Sequence, residues 1–257
     1  MNRLKDKVAL ITGAALGIGA SAANLMAQEG AKVAVTDIRD AEGKAVAAKI
    51  CAVGGDAAYF HHDVSREEDW IKVIDQTIAR FGRLDVVVNN AGIGPEGNAE
   101  ETTFADYRKV ISINLDGVFL GVKYGIKGLK QCNSRGSIIN LSSIEGLVGD
   151  PNLAAYNATK GGVLLLTKSA ALHCAKSGSG IRVNSIHPGY ILTPMVQTLI
   201  DESPDGDAKL AALIALHPVG HLGSADDIGW GIVYLASDEA KFITGSALVI
   251  DGGYTAQ

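Results

Sequence analysis

The chain has 257 residues, 47% hydrophobic and 20% charged, with a formal net charge of −5; that is enough apolar material for one sizeable core, and α/β chains of this length commonly fold as one domain. Lys and Arg are scattered without a basic run or interleaved aromatics, which argues against nucleic acid as a partner. The first apolar run, Val8 to Ile11, is too short for a signal-peptide core or a membrane span, so the expectation is a cytoplasmic chain without membrane contact.

The first predicted strand, Val8 to Thr12, opens into Thr12-Gly13-Ala14-Ala15-Leu16-Gly17-Ile18-Gly19 and then a helix over 17–29. Glycines let the backbone turn sharply and approach a pyrophosphate closely, and a helix N-terminus offers free N–H groups and a favourable dipole. Gly13, Leu16, Gly17, Ile18 and Gly19 are therefore the expected phosphate cradle of a dinucleotide. The second strand, Lys32 to Asp37, ends in a carboxylate roughly 20 residues past the glycines, where an acid can hold the adenosine ribose hydroxyls. Asp37, with Ile38 beside it, would repel a 2′-phosphate, and Ala15 offers no charge to bind one. The expectation is NAD(H) over NADP(H), with Arg39 as the dissenting residue and a solvated charge as its simpler reading.

A helix over 40–53 leads to a third strand, Ala57 to His62, which runs into Asp63 and Val64. Adjacent strand residues face opposite ways, so His61 and His62 do not make a shared metal site, and Asp63 is placed to accept from the adenine amino group. A helix over 66–80 precedes the fourth strand, Asp85 to Asn89. Asn90, Ala91 and Gly92 follow at the carboxyl end of that strand, where α/β sheets bind ligands. Then come a helix over 102–130, a strand Ser137 to Leu141, a helix over 154–177 and a strand Ile181 to His187. A helix over 224–236 and a strand Ala247 to Ile250 complete the series, which describes a doubly wound, parallel-sheet α/β fold. Only Pro188 to Pro218 breaks the rhythm. It reads as a long proline-punctuated loop, a substrate lid over about 190–218.

Ser143, Tyr156 and Lys160 stand out within this frame. On a helix, Tyr156 and Lys160 share one face a turn apart. A free phenol has a pKa of about 10, and an ammonium beside it favours the phenolate and draws that value toward the working range. Ser143, from another element, can hydrogen-bond the same substrate oxygen.

Together, T-G-x-x-x-G-I-G, Asn89-Asn90-Ala91-Gly92, Ser143, Tyr156-x-x-x-Lys160 and Pro188-Gly189 resemble the short-chain dehydrogenase/reductase family over essentially the whole chain. The resemblance implies a seven-stranded Rossmann-type sheet and a catalytic tetrad of Asn114, Ser143, Tyr156 and Lys160. Asn114 would bend its helix and hold a water toward the lysine, while Tyr156 and Lys160 also meet the cofactor. Pro188, Gly189, Ile191 and Thr193 would face the carboxamide. Ser142 to Gly146, Gly149 to Pro151 and the terminal Asp251 to Gln257 are similar to the microbial secondary-alcohol dehydrogenases. This implies a pocket of Gly94, Ser143, Glu145, Leu153, Tyr156, Tyr190, Val196 and Leu199, suited to a small uncharged hydrophobic alcohol or ketone. Glu145 reads equally as a solvated loop carboxylate or as one facing substrate. The same branch implies a homotetramer and a structural magnesium ion held by Gln257, against the plain reading of a frayed polar terminus. Alternatives on the scaffold are a hydroxysteroid dehydrogenase and a 3-oxoacyl-thioester reductase; a silent dinucleotide-binding regulator is the alternative from another class.

Overall fold

A computed structural model describes residues 2–257. β1 (Val8–Thr12), β2 (Lys32–Asp37), β3 (Ala57–His61), β4 (Val86–Asn89), β5 (Ser137–Leu141), β6 (Arg182–Pro188) and β7 (Ala247–Ile250) form one parallel sheet. Its order is β3-β2-β1-β4-β5-β6-β7, so the sequence of strands reverses between β1 and β4. That reversal opens a crevice at the carboxyl edge. Thr12, Asp37, Asn89, Leu141 and Pro188 all end their strands on this edge, and every chemically marked segment leaves the sheet there.

The strands read as continuous apolar runs because both faces are covered. In β1, Ala9 and Ile11 pack with Val33, Val35, Val86 and Val88 under α1 (Gly17–Gln28) and α9 (Ala225–Ala236). Val8 and Leu10 face the opposite layer, which includes Trp70, Val73 and Ile74 of α3 (Glu67–Phe81). Val118, Val122 and Leu129 of α5 (Gly117–Gln131) and Val163 and Ala170 of α6 (Ala154–Lys176) complete that layer. α2 (Asp40–Ala52) covers the β2–β3 margin. None of the described helices is long and apolar enough to cross a membrane.

Two expectations need correction. The helix expected over 102–130 is interrupted: α4 (Phe104–Ile111) and α5 are joined through a π-helical turn, Ser112–Asp116. Asn114 lies at the centre of that turn. Its amide is fully buried and bonded in both directions to the backbone of Ile93, at a site where π-turns often occur. The segment after β6 is not a structureless loop either. It folds into α7 (Pro194–Asp201) and α8 (Gly206–Ala215), which roof the crevice. Pro194 occupies the first turn of α7, where its missing N–H costs nothing, and Asp205 caps α8 by accepting from Ala208 N. These residues mark helix starts, which a reading of proline as loop punctuation misses.

Candidate active site

The crevice is a single cleft of about 630 Å³ whose walls carry both sets of predicted residues. Gly13, Leu16, Gly17, Ile18, Asp37, Ile38, Asp63, Val64, Asn90, Ala91 and Gly92 line one end, and Pro188, Gly189, Ile191 and Thr193 line the middle. Gly94, Ser143, Glu145, Leu153, Tyr156, Tyr190, Val196 and Leu199 line the other end, with Lys160 between. Gly19, Asn114 and Gln257 stand outside this lining.

Gly13 turns the chain out of β1 with a φ of +62°, a conformation that L side chains rarely adopt. A Cβ on Gly19 would lie 2.3 Å from the Gly13 carbonyl oxygen and 2.6 Å from Asn90 Nδ2. Gly19 thus packs the loop from behind and does not face the cleft. Asn90 ties the loop to β4 by donating from Nδ2 to the carbonyls of Thr12 (2.9 Å) and Gly13 (3.1 Å). Thr12, the first residue of the glycine motif, accepts on Oγ1 from the N–H groups of Asn90 and Ala91, both at 3.0 Å. Its position between β1 and β4 becomes visible only once the strand order is known.

Asp37 accepts from Ala15 N on Oδ2 and from Arg39 N on Oδ1, each at 3.0 Å, so its carboxylate is fixed by main chain on both sides. A carboxylate has about four acceptor sites, and the remainder suit a pair of ribose hydroxyls. Arg39 also lines the cleft, its guanidinium 3.6 Å from Glu42 and mostly exposed. Gly92 forms bare floor further in, where a Cβ would stand 3.3 Å from Asn114 Oδ1 and 3.8 Å from Lys160 Nζ. Gly-lined floor, a fixed acid and the open N-terminal turn of α1 together fit a nicotinamide dinucleotide. His61 and His62 diverge as expected of strand neighbours. His61 Nδ1 lies 2.7 Å from Asp40 Oδ1 at the surface, and His62 is buried edge-on to Trp70.

α6 brings Tyr156 and Lys160 to the inner wall. Lys160 Nζ donates to the Leu141 carbonyl (2.8 Å) and stands 5.2 Å over the centre of the Tyr156 ring. Ser142 Oγ donates to the Lys160 carbonyl at 2.9 Å and so pins α6 to β5. Burial governs both ionisations. It raises the Tyr156 phenol to about 12, against the pull of the Ser143 hydroxyl, and Glu145 raises it further. It lowers Lys160 to about 8. Burial thus moves the phenol opposite to the direction expected from Lys160, whose ammonium is not among the groups that shift Tyr156. Asn114 holds the site indirectly: Ile93 N donates to its Oδ1 (2.9 Å) and its Nδ2 donates to Ile93 O (2.7 Å).

Ser143 leaves β5 with an extended backbone, and its Oγ accepts from Glu145 N at 3.1 Å. Its carbonyl is held by His187, a buried residue that sequence reasoning left as the end of a strand. His187 Nδ1 donates to Ser143 O (2.9 Å), Ser185 Oγ lies 2.9 Å from Nε2, and burial lowers the imidazole's pKa. His217 plays a similar part for the roof: Tyr190 N donates to its Nε2 (3.1 Å) while its Nδ1 donates to Leu213 O (2.8 Å). Neither histidine carries a motif; only the fold shows what each holds. Glu145 is buried on the cleft wall, which settles its location against a solvated loop. Gln257, the expected magnesium ligand, is exposed and donates Nε2 to the Leu216 carbonyl at 3.4 Å.

A family model described as enoyl-(acyl carrier protein) reductase matches residues 13–255. The chain is 49% identical to an NADP-dependent (R)-specific alcohol dehydrogenase of Lentilactobacillus kefiri, over 100% of this chain and 99% of the relative. It is 41% identical to a cyclopentanol dehydrogenase of Comamonas testosteroni, over the full length of both. A 3-alpha-(or 20-beta)-hydroxysteroid dehydrogenase of Mycobacterium tuberculosis is 46% identical, over 99% of this chain and 91% of the relative.

Proposed function

From the premise that the chain belongs to the short-chain dehydrogenase/reductase family and is an oxidoreductase acting on CH–OH groups, we propose that it interconverts a hydrophobic secondary alcohol and its ketone with NAD(H). The observation that carries this reading is the convergence of Ser143, Tyr156 and Lys160 on a cleft continuous with the glycine loop and Asp37. The bound nicotinamide supplies the hydride acceptor, and in reverse the donor. Tyr156 takes the alcohol proton during oxidation and returns it during ketone reduction. Ser143 Oγ donates to the substrate oxygen and stabilises the charge that develops there. Lys160 is the cation for the nicotinamide ribose, and its charge favours the phenolate when Tyr156 ionises. Asn114, through the Ile93 backbone, keeps the floor beside Lys160 in register, and the proton leaves past these two residues.

NAD(H) is favoured because Asp37 presents a fixed negative charge where a 2′-phosphate would sit. The L. kefiri relative is NADP-dependent, and Arg39 on the same wall is the residue through which this chain would take that cofactor. Gly94, Leu153, Val196 and Leu199 support an uncharged substrate, and the cyclopentanol relative supports a small or cyclic one. A hydroxysteroid is the second reading, favoured by the mycobacterial relative. Exposed Leu165 and Leu172 on α6, and Trp230, Phe242 and Val249 around β7, support self-association as a homotetramer. The structural magnesium at Gln257 rests on the family branch alone and is tested by chelation.

The test is a screen of aliphatic, cyclic, aryl and steroid alcohols with NAD and with NADP, followed by absorbance of the reduced nicotinamide. The reading expects NADH formation from small or cyclic secondary alcohols. No turnover of any alcohol with either cofactor contradicts it.

A further inference from the structure

Among the described residues, four buried side-chain atoms lack a hydrogen-bond partner: His62 Nε2, Asn89 Oδ1, Glu145 Oε1 and Arg182 Nη1. Asn89 and Arg182 lie away from the cleft, and His62 stands at its adenosine end. Glu145 alone is at the substrate end, two residues beyond Ser143. It is 4% exposed and carries a formal charge. Its other oxygen, Oε2, receives one bond, from Asn157 Nδ2 at 3.1 Å. That amide is already shared with the carbonyls of Glu145 (2.6 Å) and Val148 (2.8 Å).

An ionised carboxylate offers about four acceptor sites, so this one is badly under-filled. Rotation about the last side-chain bond of a glutamate is soft, so either oxygen can turn to the cleft. Whichever turns lacks a donor. The groups facing the carboxylate do not relieve it: Asp150 opposes its charge, and Tyr156, Tyr190 and Tyr254 are each made harder to ionise by it. Burial pushes the Glu145 carboxyl above its ordinary range, which is the cost of this missing solvation.

We propose that Glu145 is a specificity residue that accepts a hydrogen bond from a second hydroxyl on the substrate, so that hydroxyketones and diols are preferred to hydrocarbon analogues of the same shape. A hydroxyl fits better than an ammonium. An ammonium would have to be desolvated against the apolar Leu153, Val196 and Leu199, which line the same end of the cleft. The inference rests on the oxidoreductase reading and narrows its substrate class: mostly apolar, with one donor placed toward Glu145.

The experiment uses two matched pairs in which a hydroxyl replaces a methyl: hydroxyacetone with 2-butanone, and 4-hydroxy-2-butanone with 2-pentanone. kcat/KM is measured for all four in the unaltered chain, Glu145→Gln and Glu145→Leu, and the ratio within each pair is compared across proteins. Intrinsic reactivity of the ketones cancels in that comparison. A hydrogen bond to a charged acceptor predicts that, for at least one pair, the ratio falls about tenfold or more in Glu145→Leu. In Glu145→Gln, which keeps the side-chain shape and an acceptor oxygen, it falls by about threefold. Melting curves and cofactor binding of each variant establish that it is folded. Ratios within twofold across all three proteins overturn this inference alone. Failure of the unaltered chain to reduce any of the four ketones overturns the small-ketone substrate class and this inference with it, while the oxidoreductase reading is decided by the broader alcohol screen.

Discussion

At the β1–β4 end of the cleft the wall is made by main chain and glycine, whereas at the α6–α7 end it is made by side chains from segments scattered over a hundred residues. Gly13, Gly19, Asn90, Thr12 and Asp37 are interlocked through backbone donors and carbonyls, and a single Cβ at Gly19 would collide with two of them. Around Gly94 the same added Cβ would find Met195 Sδ and the Tyr156 ring at 3.5 Å, an ordinary contact. One end of the cleft leaves no room for a side chain, because its shape is made by backbone. At the other end an added Cβ meets only side chains, so shape there is set by the residues that surround Ser143, Tyr156 and Lys160.

The largest expected effect lies where the two ends meet. Tyr156→Phe is expected to lower kcat by about 10²–10⁴-fold, the usual worth of a positioned acid or base. Cofactor affinity stays within about twofold, because the backbone-built end is untouched. Single-turnover kinetics and a cofactor titration separate the two. A parallel loss of both would mean that the ends are not independent.

Asp37→Gly tests the other end. It removes the fixed carboxylate and leaves Ala15 N without its acceptor. The preference for NAD over NADP, read as a ratio of kcat/KM values, is expected to fall by about tenfold to a hundredfold, the worth of hydrogen bonds to a charged group. An unchanged ratio would transfer the reading of the ribose to Arg39.

Stability sharpens the contrast further. Gly19→Ala is expected to cost about 1–3 kcal/mol or more through overpacking, seen as a lower denaturation midpoint. Gly94→Ala should leave that midpoint nearly unchanged while altering KM for bulky ketones. The smallest effect is in pH. Lys160 is lowered by burial from 10.5 to about 8, so between these values the unfolded chain binds more protons than the folded one, and stability rises with pH. The cost of burying the ammonium is complete below about pH 8 and is relieved as pH approaches 10.5. Relative to Lys160→Met, which carries no charge, the unaltered chain should therefore gain stability across that window. A flat difference would mean that the ammonium is not dehydrated.

How much of this was legible in the sequence follows from the same division. The glycine loop, Asp37 and Asn90 act through local backbone geometry, so their spacing along the chain already described the site. Tyr156 and Lys160 were legible because one helical turn relates them. The bonding partners of Thr12, Asn157, His187 and His217 were not, since each is brought near only by the fold: Thr12 across the β1–β4 switch, His187 to Ser143, His217 to Tyr190. The π-turn at Asn114 was expected only as a bend, and the partner of its amide, Ile93, lies 21 residues earlier, outside any local pattern. α7 and α8 were missed for a different reason. Their prolines and acids cap helices, and the same residue types also punctuate loops.

The central claim is hydride transfer to a nicotinamide with Tyr156 as the proton acceptor. Its most direct measurement is turnover of a secondary alcohol deuterated at the carbinol carbon, with the reduced cofactor analysed for label. The account predicts one deuterium per turnover on the nicotinamide, none lost to water, and no label transfer within the same time in Tyr156→Phe that still binds cofactor. Label appearing in solvent, or transfer at an undiminished rate in the Phe variant, contradicts it.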